Sequence, residues 1–351
     1  VNCETNWPAY FQSRPFLEGR IRERVEALEN VTFIYGKKVT ELVLAPDGRK
    51  ISGLRFICPA SNEPKRTLNA NLVMDASGIG SQLPSWLDEL GYKLPATTEI
   101  KIRLAYATRL YKEVNNPDWS ALGVYPAAPK TNMGLIFRVE NGHMLASLIG
   151  YQGKHPPTDN EGWEQYARDL AMPDFYNAIH AAEPVSDVSL FRFDTMIRRH
   201  YERMRHFPDG LLAMGDAICI FDPVFGQGMS VAAKEADVLE KTLRRAKNLT
   251  GIHQYYFNKV SSALDLPWLL VSSEAFRWPE TEGKRFFGLP ILQWYTGMVF
   301  KLSSTHPAIL HTFLEVMHLL KGPSALFRPG VLLPIIKAQL RVSATTPPNQ
   351  Q

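Results

Sequence analysis

Apolar residues Phe16, Leu17, Ile21, Val25 and Leu28 recur among charges over residues 16–29. That is the period of an amphipathic helix, and Asn30 follows as a stop. The period then changes. Residues 31–36 (VTFIYG) and 39–44 (VTELVL) read as strands, 45–48 (APDG) as a hairpin turn, and 51–58 (ISGLRFIC) as the returning strand. Residues 68–78 (LNANLVMDASG) predict one further strand that runs into a turn of small residues.

From about 99 to 198 alternation dominates. Residues 100–111, 133–140, 143–153 and 189–197 alternate with period two, predicting antiparallel strands with one helical insert at about 161–182, capped by Thr158 or Asp159. A short buried strand at 211–214 precedes a helix over 228–247 that ends in basic residues. Beyond 261 the chain reads as helical and rich in aromatics, broken by Pro267, Pro279, Pro290, Pro307, Pro323, Pro329 and Pro334. This order predicts an α/β fold with a Rossmann-like core in two parts, 1–98 and 199–260. A β-rich substrate domain (99–198) is inserted between them, and a helical cap (261–341) and a disordered tail (342–351) follow.

Composition narrows the partners. The 351 residues include 39 basic and 35 acidic, a net charge of +4 that is too mild for a nucleic-acid binder. The three cysteines, Cys3, Cys58 and Cys219, are scattered, which predicts no disulfide framework and a reducing, cytoplasmic setting. The histidines lack the spacing of metal ligands, and no Gly-x-Ser-x-Gly elbow is present. No apolar run approaches the roughly 18 residues that span a bilayer. The stretch 288–302 is apolar enough to touch a membrane surface peripherally, although packing of a cap helix explains it more readily.

The richest chemistry lies in GLLAMGDAICIFDPVFGQGMSV, residues 210–231. Gly215 allows a tight turn at a strand end, and the Asp216 carboxylate can accept hydrogen bonds from sugar or ribityl hydroxyls. Pro223 stiffens the loop, while Gly226 and Gly228 let backbone N–H groups approach a planar or anionic ligand where a helix starts. Asp75-Ala76-Ser77-Gly78 is a second small-residue turn after a strand, which an ordinary β-turn explains equally well. The basic cluster at 198–206 (RRHYERMRH) reads as a connector more readily than as a phosphate site.

Taken whole, Gly215 to Met229 resembles the second flavin motif of the FAD-dependent monooxygenases of the aromatic hydroxylase, ubiquinone hydroxylase and epoxidase type. The resemblance implies that Asp216 contacts the ribityl and pyrophosphate region of FAD. It also implies that Pro223, Gly226, Gln227, Gly228 and Met229 border the isoalloxazine ring. Asp75 and Gly78 resemble the family's middle motif, departing at Ile79 and Gln82, and Ser13-Arg14 resembles its FAD-directed arginine. The family's strand–GxGxxG–helix unit is absent from all 351 residues and there is no initiator Met. The expectation is therefore a chain that lacks about a hundred N-terminal residues and alone binds FAD weakly.

The implied activity is NAD(P)H-driven reduction of FAD, addition of O2 at flavin C4a, and transfer of one oxygen to an apolar or aromatic small molecule. The cofactor carries that chemistry, so no acid–base pair is expected to stand out. Phe137, Phe191, Trp278, Phe286, Phe287, Trp294 and Tyr295 are candidate pocket residues, each equally suited to a core. Two alternatives stay open: a flavin reductase or dehydrogenase acting on an isoprenoid-like substrate, and a non-catalytic fragment.

Overall fold

The computed structural model describes residues 7–61, 64–114, 117–126 and 131–345. Helix α1 (Arg14–Glu26) forms where the apolar spacing predicts it, and the Ser13 hydroxyl caps it by accepting the Phe16 N–H at 3.3 Å. The helix nevertheless buries none of its side chains, and Ile21 is 54% exposed. The expected strand at 31–36 does not form. Phe33, Ile34 and Tyr35 stay exposed, and no pairing partner lies beside them among the described strands. Apolar β-formers become a strand only where a neighbouring strand takes up their hydrogen bonds.

Strands β1 (Lys38–Leu44), β2 (Ile51–Ile57) and β3 (Arg66–Asn69) form an antiparallel meander in which Leu42 faces Leu54 and Arg55 faces Thr67. The single strand expected over 68–78 is divided. β3 ends at Asn69, and β4 (Val73–Asp75) leaves the meander to pair in parallel with a segment far along the chain, Leu211–Ala213. A turn at 78–80 and helix α2 (Leu83–Glu89) follow, with Leu83 and Leu87 buried.

The long strand β5 (Ala96–Lys112) organises an antiparallel sheet with β6 (Ala121–Val124), β7 (Asn132–Val139) and β8 (His143–Gly150). Ile100, Ile102 and Leu104 point to one buried face, as the period-two pattern requires. The helical insert is two helices, α3 (Asn160–Arg168) and α4 (Asp174–His180). Asp159 is the cap, its Oδ1 accepting the Gly162 N–H at 2.8 Å. Trp163 and Phe175 bury completely against Tyr111, Ile136 and Leu148, at about 2–3 kcal/mol each.

The sheet is completed by β9 (Glu183–Pro184), β10 (Ser189–His200) and, beyond β11 (Leu211–Ala213), by β12 (Cys219–Ile220). Helices α5 (Gly228–Arg245) and α6 (Ile252–Ala275) follow, and the Tyr256 hydroxyl donates to the Ala213 carbonyl at 3.0 Å. A two-residue strand β13 (Glu282–Gly283) returns to β5. Helices α7 (Leu289–Ser303), α8 (Pro307–Met317) and α9 (Pro329–Thr345) then close on a separate core that includes Tyr295, Val299, Ile309, Val316, Val331 and Ile335.

The prolines do not all interrupt. Pro290, Pro307 and Pro329 open helices, where a missing N–H costs nothing. Pro267 and Pro334 sit inside α6 and α9. There the burial of Leu264 and Val271, and of Val331 and Ile335, outweighs the roughly 3 kcal/mol that an interior proline costs. α9 also continues to Thr345, past the start of the expected tail, and residues 346–351 lie outside the described residues.

Candidate functional site

Two turns separated by some 140 residues of sequence meet at the carboxyl ends of the parallel pair β4 and β11. Asp75 is paired with Ala213, and the Met214 N–H donates to the Asp75 carbonyl at 2.9 Å. The turns 78–80 and 215–217 therefore stand side by side. The carboxyl edge of parallel strands is where α/β proteins hold ligands.

In the first turn Asp75 serves the protein itself. Its Oδ1 accepts from the Ser77 N–H (3.0 Å) and the Ser77 hydroxyl (2.5 Å), and its Oδ2 accepts from the Ser81 hydroxyl (2.5 Å). Gly78, at φ +75°, faces open space. In the second turn Gly215 takes φ +64°, which a side chain would strain. Asp216 projects at the exposed rim. Protein crowded around its carboxyl pushes the pKa above the ordinary value, and the Arg14 charge pulls it back.

Arg14 opens α1 beside Ser13, whose N–H donates to Glu140 Oε2 at 2.9 Å and whose hydroxyl donates to Glu140 Oε1. The α1 N-terminus is thus fastened to the β7–β8 connection, and the exposed Arg14 guanidinium is brought near both Asp216 and Tyr106.

The loop from 222 to 228 leads into α5, the helix that packs on the second turn. Asp222 is buried, accepting the Tyr151 hydroxyl at 2.8 Å and the Val224 N–H at 2.9 Å. Burial drives its carboxyl up to about 6, against the pull of those two donors. Pro223–Phe225 makes one tight turn, and Gly226 reverses the chain at φ +62°. Gln227 is buried, its amide donating to the Met317 carbonyl at 3.4 Å, while its Oε1 finds no partner among the described residues. Gly228 begins α5 with nothing within 4 Å of where a Cβ would stand, and Met229 is exposed beside it.

Several residues that hold this site escape a reading of the sequence. Glu235 of α5 lies fully buried under the second turn and accepts the Gly215 N–H on Oε2 at 2.5 Å. Burial raises its carboxyl to about 7. The only linear signal is an acid on the buried stripe Val231, Glu235, Thr242. Arg199 donates to the carbonyls of Asp216 (3.4 Å) and Ala217 (3.2 Å), bracing the same turn.

Arg198 is buried and donates to Asp265 Oδ1 at 2.7 Å, and His200 lies between Thr98 and Glu202. In the structure the basic cluster is the end of β10 and a brace. Trp7 stacks on His311 at 5.7 Å and meets His318 edge-on, which lines the N-terminal segment against α8 near Gln227. Of the candidate pocket residues, Phe191, Phe287 and Trp294 are exposed, Phe137, Trp278 and Phe286 are half-buried, and Tyr295 is core. Cys58 and Cys219 are free, and burial pushes the Cys219 thiol well up.

Tyr151 also stacks on Trp278, so it ties the loop at Asp222 to β8 and to the cap. Tyr151→Phe would leave Asp222 Oδ2 buried without a donor, a cost of about 1–3 kcal/mol. The expected result is a lower urea midpoint with unchanged slope, measured by tyrosine and tryptophan fluorescence.

A sheet-rich α/β body, a parallel pair carrying glycine turns and a helical C-terminal region define the architecture of FAD-binding flavoenzymes. The chain is similar over 95% of its length to the flavin-dependent brominase Bmp2 (14% identity, 75% of that chain, TM-score 0.61). It is similar over 94% to a flavoprotein/dehydrogenase from Cytophaga hutchinsonii (15% identity, 74% of that chain, TM-score 0.64). HpxO of Klebsiella pneumoniae, solved as a point variant complexed with FAD, matches 76% of this chain and 64% of its own (17% identity, TM-score 0.53).

Residues 131–262 match the family model of squalene epoxidase. "Protein Rv3254" of Mycobacterium tuberculosis is 28% identical over 268 residues, 75% of this chain. The match spans 56% of that relative's length. The chain is thus similar to squalene epoxidase over residues 131–262 and shares the fold of FAD-binding flavoenzymes.

The residues present fit a flavin. Gly228 has neither a left-handed backbone nor a close neighbour, and the approach to the α5 start is clear. The buried Gln227 Oε1 is an acceptor without a donor, and the Asp216 carboxylate is an exposed acceptor beside Arg14. A ring with N–H edges and a hydroxylated chain supplies what each of them lacks.

Proposed function

We propose that this chain forms part of an FAD-dependent monooxygenase that hydroxylates or epoxidises an apolar or aromatic small molecule with NAD(P)H and O2. One observation carries the reading. The Gly215–Asp216 turn and the Asp75–Gly78 turn meet at one carboxyl edge, with open space over Gly78 and Gly215, and α5, whose Gly226–Gly228 start is equally clear, packs on the second turn through Glu235. The squalene epoxidase match over 131–262 adds to it.

When bound, FAD would supply the redox chemistry by taking electrons from NAD(P)H and using O2 to oxygenate the substrate. The chain's own task is placement. Asp216 would accept hydrogen bonds from the ribityl hydroxyls, with Arg199 and Glu235 holding its turn still. Backbone N–H groups at the α5 start, left without a side-chain cap, would stabilise negative charge on the reduced ring. Pro223 and Met229 would border the ring, and Arg14 would balance charge near Asp216. Asp75, whose carboxylate is fully engaged, would act by shaping its turn.

The test is NAD(P)H oxidation by the flavin-loaded protein with and without O2, followed by mass analysis of the product. Incorporation of an oxygen atom from labelled O2 is expected. Substrate reduction under strict anaerobiosis would instead establish a reductase or dehydrogenase. A full-length protein that neither retains flavin nor consumes NAD(P)H would establish the non-catalytic alternative.

A further inference from the structure

The C-terminal cap carries a charge and a surface unlike the rest of the molecule. From Lys284 to Arg341 the sequence holds seven Lys or Arg and a single acid, Glu315, a net of +6. The whole chain is only +4, so everything outside this segment sums to −2. Glu315 is itself neutralised by Lys321 at 2.7 Å.

On the same segment, apolar side chains face outward at helical spacing. Phe287, just ahead of α7, is fully exposed, and Ile291 (70%) and Trp294 (46%) continue its line. On α9, Leu333 (54%), Ile336 (45%) and Leu340 (65%) form a second line. α7 and α9 pack on each other through Tyr295, Val299, Val331 and Ile335, and each turns its outer stripe away from that core. Lys301 and Lys337 stand exposed on these two helices. Among the described residues no helix is long and apolar enough to cross a membrane.

From this juxtaposition we infer that the outer faces of α7 and α9 seat the protein on an anionic lipid surface. The apolar stripes would enter the boundary between headgroups and acyl chains, while the lysines and arginines meet lipid phosphates. A second copy of the chain is the poorer occupant, because it would bring one +6 surface against another. The aromatic Trp294 and the snorkelling stems of Lys301 and Lys337 suit an interface that is apolar below and charged above. The inference stands independently of the flavin reading, and a lipid seat would give an apolar substrate a route to the protein.

Flotation of the full chain with vesicles of phosphatidylcholine, alone or mixed with about one third phosphatidylglycerol, tests it. The protein is expected to float with the anionic vesicles and to leave them as salt rises. Ile291→Glu with Leu340→Glu should abolish flotation. Lys301→Glu with Lys337→Glu should weaken it by about tenfold or more, at roughly fivefold per surface charge removed. Thermal melts of these surface variants serve as the folding control. Three results would overturn the inference: no flotation with either vesicle, flotation untouched by the variants, or self-association in sedimentation that Ile291→Glu removes.

Discussion

Asp216→Ala, made in the whole protein of which this chain forms part, is expected to lower the affinity for FAD by about tenfold to a hundredfold, the worth of charge-assisted hydrogen bonds lost from one carboxylate. Quenching of flavin fluorescence, titrated against a saturating wild-type curve, measures it. The residue is exposed at the rim, so the fold should not suffer, and an unchanged thermal midpoint separates lost binding from unfolding. Gly228→Val makes the complementary test. Its branched side chain would fill open space at the helix start, where no atom beyond the flanking residues and the helix's own backbone lies within 4 Å of the Cβ position. A similar loss of affinity is expected, this time by steric block. Undiminished flavin binding in both variants would remove the site from this edge of the sheet.

The contrast between these two positions and their supports explains what the sequence could convey. Gly215 and Gly226 are legible because the backbone imposes their identity locally, within one turn. The alternation of β5 is legible for the same kind of reason: one face of the strand is buried along its length. The parallel pairing of β4 with β11 is a different matter. Three residues pair with three others across most of the chain, and nothing in either triplet names its partner. The strand expected at 31–36 fails for want of such a partner, and the strand expected at 68–78 divides because its second half has found one. Arg199 and Tyr151 belong with these tertiary cases. Each looks like part of a strand end, and each acts by reaching a loop that the chain forms much later.

Glu235 is the sharpest of those cases, because its cost can be measured. A carboxyl with a folded value of about 7 and an ordinary value of 4.5 binds more protons in the folded state than in the unfolded chain between those two pH values. Stability therefore falls as pH rises from about 4.5 to 7. Burying the ionised carboxylate costs about 3 kcal/mol once the pH exceeds both values. The groups that face it are Gly215 N–H, which favours the charged form, and Asp216, whose charge opposes it. Tyr256 and Cys219 are also near, each of them held neutral by burial. Glu235→Gln keeps an acceptor for the Gly215 N–H and never ionises. Its stability relative to wild type, from urea melts at several pH values, should be near zero at pH 4, about 1 kcal/mol at pH 5 and about 3 kcal/mol in favour of the variant at pH 8. Asp222, raised to about 6, adds a slope of the same sign to both proteins and cancels in the difference. A difference that stays flat from pH 5 to 8 would show that the carboxyl is not buried as placed. A gain that appears together with weaker flavin binding at pH 8 would show that the ionised carboxylate, costly as it is, holds the Gly215–Asp216 turn in its working shape.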